Sequence, residues 1–244
     1  MQNIKLTLAY DGTNYHGFAT QPDGNTVSDT LKKALKQITS EEVKFIGASR
    51  TDAGVHAKSQ VVCFLTNSTI PIEVFPKAIN SRLPEDIVVY DACRVEDTFH
   101  ARFSAKFRRY RYSILTAKYP DVFYRRYAYW LPCPLHLEDM LKASGFLVGE
   151  HDFSAFASEI KSVKNPVRNM EKLGIDKKGE FIHFNFKANA FLPGMIRTIV
   201  GTLLHVGRGK LTSEEVRDIL ESKNRAKAGA LAPPQGLCLM EVGY

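Results

Sequence analysis

Apolar and polar residues alternate over residues 4–10, Ile-Lys-Leu-Thr-Leu-Ala-Tyr, which predicts a strand. Asp11-Gly12 marks a turn after it. From Asn25-Thr26 onward, Val27, Leu31, Leu35 and Ile38 fall on one face at helical spacing, so a helix begins there. Two strands are predicted near 43–49 and 57–66. Pro71 opens a second helix through Phe75, Ala78 and Ile79 to Leu83, and Asp86-Ile87-Val88-Val89-Tyr90 reads as the next strand. Strand, helix, strand, strand, helix, strand is the order of a ferredoxin-like unit.

A second half begins near residue 105. Strands are predicted at 107–116 and 125–131, and a helix over 137–148 with Leu137, Met140, Leu141 and Phe146 turned inward. Arg168 to Phe191 reads as a hairpin that turns at Asp176-Lys177-Lys178-Gly179. Pro193 begins an apolar helix carrying Met195, Ile196, Ile199, Val200, Leu203 and Leu204. Thr212-Ser213-Glu214-Glu215 is a capping box for another helix. Residues 228–235 read as a loop, and Gly236 to Val242 as a closing strand. The fold class is therefore α+β: two ferredoxin-like halves, residues 1–104 and 105–244, with mainly antiparallel mixed sheets and a central cleft.

Composition narrows the chemistry. The chain has 244 residues, 44% hydrophobic and 24% charged, an ordinary globular balance. Its 33 Lys and Arg against 26 Asp and Glu leave +7, which suits a polyanionic partner such as nucleic acid. Cys63, Cys93, Cys133 and Cys238 form no Cys-x-x-Cys pair, so neither a zinc nor a redox motif is signalled. Cys63, Cys93 and Cys238 lie in apolar runs and read as reduced core residues. The seven histidines include no His-Glu-x-x-His, and no phosphate-cradling Gly-x-x-x-x-Gly-Lys occurs; no metal and no nucleoside triphosphate is expected. No segment reads as a signal peptide or membrane helix, so the expectation is a cytoplasmic protein.

Three stretches carry candidate chemistry. In Ser49-Arg50-Thr51-Asp52-Ala53-Gly54-Val55-His56-Ala57 an acid stands between two predicted strands, beside a base and two small residues. Such an Asp either hydrogen-bonds its own turn or presents its carboxylate to a large ligand. In Phe107-Arg108-Arg109-Tyr110-Arg111-Tyr112, strand alternation puts both tyrosines on one face and Arg109 and Arg111 on the other. Cations interleaved with rings suit RNA, and they equally suit a solvated strand with core tyrosines. Arg197 sits among apolar residues of the predicted helix from Pro193, where it either reaches solvent or takes an anionic partner; Asp52 is the natural candidate for that partner.

Arg50-Thr51-Asp52-Ala53-Gly54-Val55-His56 resembles the signature of the tRNA pseudouridine synthase A family. Phe107 to Tyr112 is similar to that family's Arg-x-Tyr-x-Tyr strand. Phe191 to Gly201 is similar to its Phe-Leu-x-x-Met-Val/Ile-Arg-x-Ile-Val-Gly motif, with Pro193-Gly194 where basic or aromatic residues are usual. Ala9 to Phe18 and the ending from Gly236 also match, though Ala19 stands where the family often has Gln. The resemblance implies an isomerase that converts uridine to pseudouridine at positions 38–40 of the tRNA anticodon stem-loop. It implies Asp52 as nucleophile, Tyr110 as a substrate-binding and active-site tyrosine, and Arg197 as the active-site arginine. Arg50 would brace the space left by a flipped uridine. His56 would touch RNA or hold its turn. No cofactor is implied, and the partners would be tRNA and a second copy of the chain. The alternatives are a non-catalytic basic RNA-binding protein, a pseudouridine synthase with a different RNA target, and a glycoside hydrolase, for which the motif supplies no second carboxylate.

Overall fold

A computed structural model describes residues 1–161 and 163–244. In chain order the elements are β1 (Gln2–Tyr10), α1 (Val27–Thr39), β2 (Phe45–Gly47), β3 (His56–Thr66), α2 (Phe75–Asn80), β4 (Ile87–Val95), β5 (Phe107–Leu115), β6 (Tyr129–Trp130), α3 (Leu137–Gly145), β7 (Gly149–Asp152), β8 (Val167–Lys178), β9 (Phe181–Ala188), α4 (Met195–Gly207), α5 (Ser213–Ser222) and β10 (Leu237–Gly243). The chain forms two compact units, Met1–Lys106 with Cys238–Tyr244, and Phe107–Leu237.

In the first unit β4, β1 and β3 lie side by side and antiparallel. β2 runs antiparallel to the later part of β3, Phe45 opposite Phe64 and Gly47 opposite Val62. β10 runs parallel to its start, Cys238 opposite His56 and Leu239 opposite Ala57. α1 starts where the sequence signals it. Thr26 caps it by accepting the Asp29 amide at 3.1 Å. Ile4, Leu6 and Leu8 of β1, Leu31 and Leu35 of α1, and Phe75 and Ile79 of α2 are fully buried. Each such side chain contributes about 1.5–3 kcal/mol by leaving water.

The second unit has the antiparallel order β5-β9-β8-β7, with β6 parallel to β5. α4 is buried along nearly its whole length, including all six apolar residues named above. α5 carries the expected capping box, with the Thr212 hydroxyl accepting the Glu215 amide.

Several expectations change. Residues 125–131 are not a strand: only Tyr129 and Trp130 pair, and Asp121 Oδ1 accepts the Phe123 and Tyr124 amides to start a turn. The local Asx turn takes the backbone ahead of the strand. Leu141 is exposed, and the buried face of α3 is Met140, Ala143 and Ser144. β4 runs on to Val95, and β7 was not foreseen. Cys63 is buried, whereas Cys93 and Cys238 are only half-buried. Among the described residues no helix is long and apolar enough to cross a membrane, and no three His, Cys, Asp or Glu gather as a metal site.

Candidate active site

Asp52 lies on the connection from β2 to β3. Three interactions shape that connection. The Ala48 amide donates to the Val61 carbonyl at 2.8 Å, and Gln60 Nε2 donates to the Ser49 carbonyl at 2.7 Å. The Val55 amide then closes a turn on the Asp52 carbonyl at 3.1 Å. Gly54 sits in this turn at φ +75, a conformation glycine adopts without steric cost. Asp52 is half-buried and Arg50 exposed.

The chain's opening segment holds the turn from the other side. A Cβ on Gly12 would stand 2.0 Å from the Val55 carbonyl oxygen, and one on Gly17 would stand 2.7 Å from that of Thr51. Backbone therefore packs directly on backbone, which only glycine permits. The Phe18 amide donates to the Thr51 carbonyl at 3.1 Å, and the Gly54 amide to the Tyr15 carbonyl at 3.3 Å. Tyr15 is anchored in turn by its hydroxyl, which donates to Asp86 Oδ1 at 2.5 Å; burial and this carboxylate raise its pKa above the ordinary tyrosine value. His56 is 5% exposed, and its Nδ1 accepts the Gly12 amide at 3.0 Å and lies 3.1 Å from Asp11 Oδ1.

In the second unit β5 alternates as the sequence requires. Tyr110 and Tyr112 are buried with Arg108 on one face, and Arg109 and Arg111 are exposed on the other. Tyr110 pairs with Phe186 of β9 and meets the Phe191 ring edge-on at 5.2 Å. Arg108 was not singled out by the sequence; it is 6% exposed and donates from Nη1 to the Asn189 carbonyl at 2.7 Å. On the outer face Arg109 stands opposite Lys187, and both cations lie over the Phe107 ring. Arg111 Nε donates to Asn185 Oδ1 at 3.0 Å.

Arg197 is half-buried on the first turns of α4, and its Nε donates to the Ala232 carbonyl at 2.7 Å. Gly194, at φ +67, is the N-cap of this helix, so Pro193-Gly194 serves the entry into α4.

The structure thus gathers Arg50, Asp52 and His56 on one turn of the first unit, while in the second unit Tyr110 lies on β5 and Arg197 on α4. Tyr10, Thr51 and Gln60 were missed. Tyr10 Oη and Thr51 Oγ1 are 2.7 Å apart and buried, directly beside Asp52. The only signal for Tyr10 and Thr51 was their position inside the two motifs that turn out to touch, and Gln60 lies outside both.

The family model described as tRNA pseudouridine synthase matches residues 7–104 and 143–244. A protein of Thermoanaerobacter sp. (strain X514) named tRNA pseudouridine synthase A is 51% identical, covering 100% of both chains. One of the same name from Acetivibrio thermocellus is 45% identical over the same full span, and one from Brevibacillus brevis 42%. Among solved structures, an H/ACA ribonucleoprotein bound to a substrate RNA containing 2′-deoxyuridine matches 97% of this chain and 47% of its own, with 11% identity and a TM-score of 0.43.

Proposed function

The chain belongs to the tRNA pseudouridine synthase family, and from that premise we propose that it isomerises uridine to pseudouridine at positions 38–40 of tRNA with Asp52 as nucleophile. The observation that carries this reading is the Asp52 turn. A half-buried carboxylate rides on a connection braced by bare backbone at Gly12 and Gly17. That bracing fixes a group that has to meet a substrate atom in one geometry.

The reaction breaks the bond from ribose C1′ to uracil N1 and forms one from C1′ to C5. The C5 proton leaves and N1 gains one, so reactant and product are isomers. An ionised carboxylate begins either route, attack on the sugar carbon or on the ring. In this reading Arg197 is the active-site arginine, a cation whose planar donors are fixed in direction. Tyr110 stacks on the uracil and assists loss of the C5 proton. Arg50, exposed beside Asp52, braces the space of the flipped nucleotide. The burial of His56 supports a part for it in holding the turn. A homodimer belongs to the same reading, and light scattering measures it.

The test is Asp52→Asn incubated with unmodified tRNA, with pseudouridine mapped at nucleotide resolution. The expected result is no product at positions 38–40 and tRNA affinity equal to the native protein. Product at the native rate would overturn the assignment, and release of free uracil would point to a hydrolase.

A further inference from the structure

Residues 228–236 follow α4 as a strap. At one end the Gly229 amide donates to Thr202 Oγ1 at 2.9 Å, and that hydroxyl donates to the Thr198 carbonyl at 2.8 Å. Beside it the strap lies on bare helix backbone: a Cβ on Gly201 would stand 1.9 Å from the Ala230 carbonyl oxygen. One helical turn nearer the start of α4, the Ala232 amide donates to the Arg197 carbonyl at 3.0 Å while Arg197 Nε donates to the Ala232 carbonyl at 2.7 Å. The next carbonyl, that of Pro233, accepts the Tyr112 hydroxyl at 2.8 Å. Pro233 and Pro234 stiffen this part of the strap, because each ring fixes its φ.

This arrangement has a consequence for the guanidinium. Its donors form one rigid plane. Once Nε–H is committed to the Ala232 carbonyl, the plane is set, and with it the directions of both Nη groups. The carbonyl can hold that plane only if its own peptide stays still, and the Tyr112 hydroxyl binds the adjacent peptide. Tyr112 is itself fully buried, with its ring 2.6 Å from where a Gly236 Cβ would be. Burial pushes its phenol well above the ordinary value, against the pull of the Arg197 charge, so the hydroxyl stays a donor at neutral pH.

We propose that Tyr112 is a positioning residue for Arg197, acting through the Ala232–Pro233 peptide that fixes the plane of the guanidinium. The proposal rests on the reading of Arg197 as part of the catalytic machinery. Tyr112 needs no contact with substrate for this role.

The experiment uses Tyr112→Phe, which keeps the ring and removes only the hydroxyl. Two quantities are read. Hydrogen exchange of the Arg197 Nε–H, followed by NMR with 15N-labelled arginine, should quicken at least about tenfold once the clasp loosens. Tritium release from tRNA labelled at uridine C5 should give a kcat about tenfold lower with KM unchanged, the pattern of a lost transition-state interaction. A structural defect alone would lower the amount of active enzyme and leave the exchange of this one proton in the folded fraction unmoved. Unchanged exchange, or a native kcat, overturns the proposal. Should Tyr112→Phe fail to fold, Thr202→Val loosens the far end of the strap and faces the same two readouts. Arg197→Lys separates the premise: native turnover in that variant refutes the role of Arg197 itself, whatever the exchange shows. Slow turnover there with native turnover in Tyr112→Phe refutes only the strap.

Discussion

The Tyr10 hydroxyl and Thr51 Oγ1 stand 2.7 Å apart, both side chains buried, and so β1 is tied to the residue next to Asp52. Gln60 Nε2 reaches the same hydroxyl at 3.5 Å and the Ser49 carbonyl at 2.7 Å. Tyr10→Phe removes one hydroxyl from this buried set. The expected loss of stability is about 0.5–1.5 kcal/mol, read by urea unfolding. Turnover should fall with it, since the network shapes the turn. Native stability would mean that Thr51 is held by other contacts.

Gly17 and Gly24 offer a controlled pair. Both have positive φ, +94 and +69. A Cβ on Gly17 meets the Thr51 carbonyl oxygen at 2.7 Å, whereas one on Gly24 meets nothing within 4 Å. Gly24→Ala should cost only the conformational term, about 1 kcal/mol. Gly17→Ala adds a backbone clash, so it should cost several times more and displace the Asp52 turn. Thermal melts of the two variants, with tritium-release rates alongside, check this. Equal losses would show that the close approach to Thr51 relaxes without consequence.

Much of this was legible in the chain. Alternation and helical spacing located β1, α1, β5 and α4, because each buries one face or, for α4, nearly all of its surface. The capping box at Thr212 located the start of α5 to the residue. The Asp52 turn was legible because Ala53 and Gly54 break the pattern between two apolar runs. What pattern could not supply was contact between segments distant in sequence. Gly12 and Gly17 stand in a motif of their own, and only the fold shows them pressed on Val55 and Thr51. Residues 228–235 read as a plain loop, yet they are bonded along α4. Periodicity also failed where turn chemistry competes with strand propensity, as at Asp121 before Phe123 and Tyr124.

The two faces of β5 should separate in their effects. Arg109 and Arg111 are exposed, whereas Tyr110 is buried against Phe191. If the outer face meets tRNA phosphates, replacing both arginines by Gln should weaken binding and lower the slope of log affinity against log salt by about 1 per lost contact. Tyr110→Phe should leave affinity unchanged and slow turnover. Filter binding at several salt concentrations, with single-turnover rates, reads both. A flat salt response in the native protein would remove the outer face from the interface, and weakened binding by Tyr110→Phe with normal chemistry would contradict its assigned part.

A pH effect follows from the tether between α3 and α5. Lys142 Nζ donates to Glu214 Oε1 at 2.5 Å, and the Ser213 hydroxyl donates to Oε2 at 2.8 Å. The Lys142 bond, with Ser213 adding to it, lowers the Glu214 pKa from 4.5 to about 2. The folded state therefore holds this carboxylate ionised where the unfolded chain would protonate it. Its contribution is complete above pH 4.5 and is lost as pH falls from there towards about 2. Lys142→Gln removes the partner charge and should flatten that part of the acid profile of the melting temperature. Both side chains are exposed, so salt screening limits the effect, and about 1 M salt should erase the difference between native and variant proteins. Superimposable acid profiles at low salt would show that the Lys142 tether adds nothing to the stability of the fold.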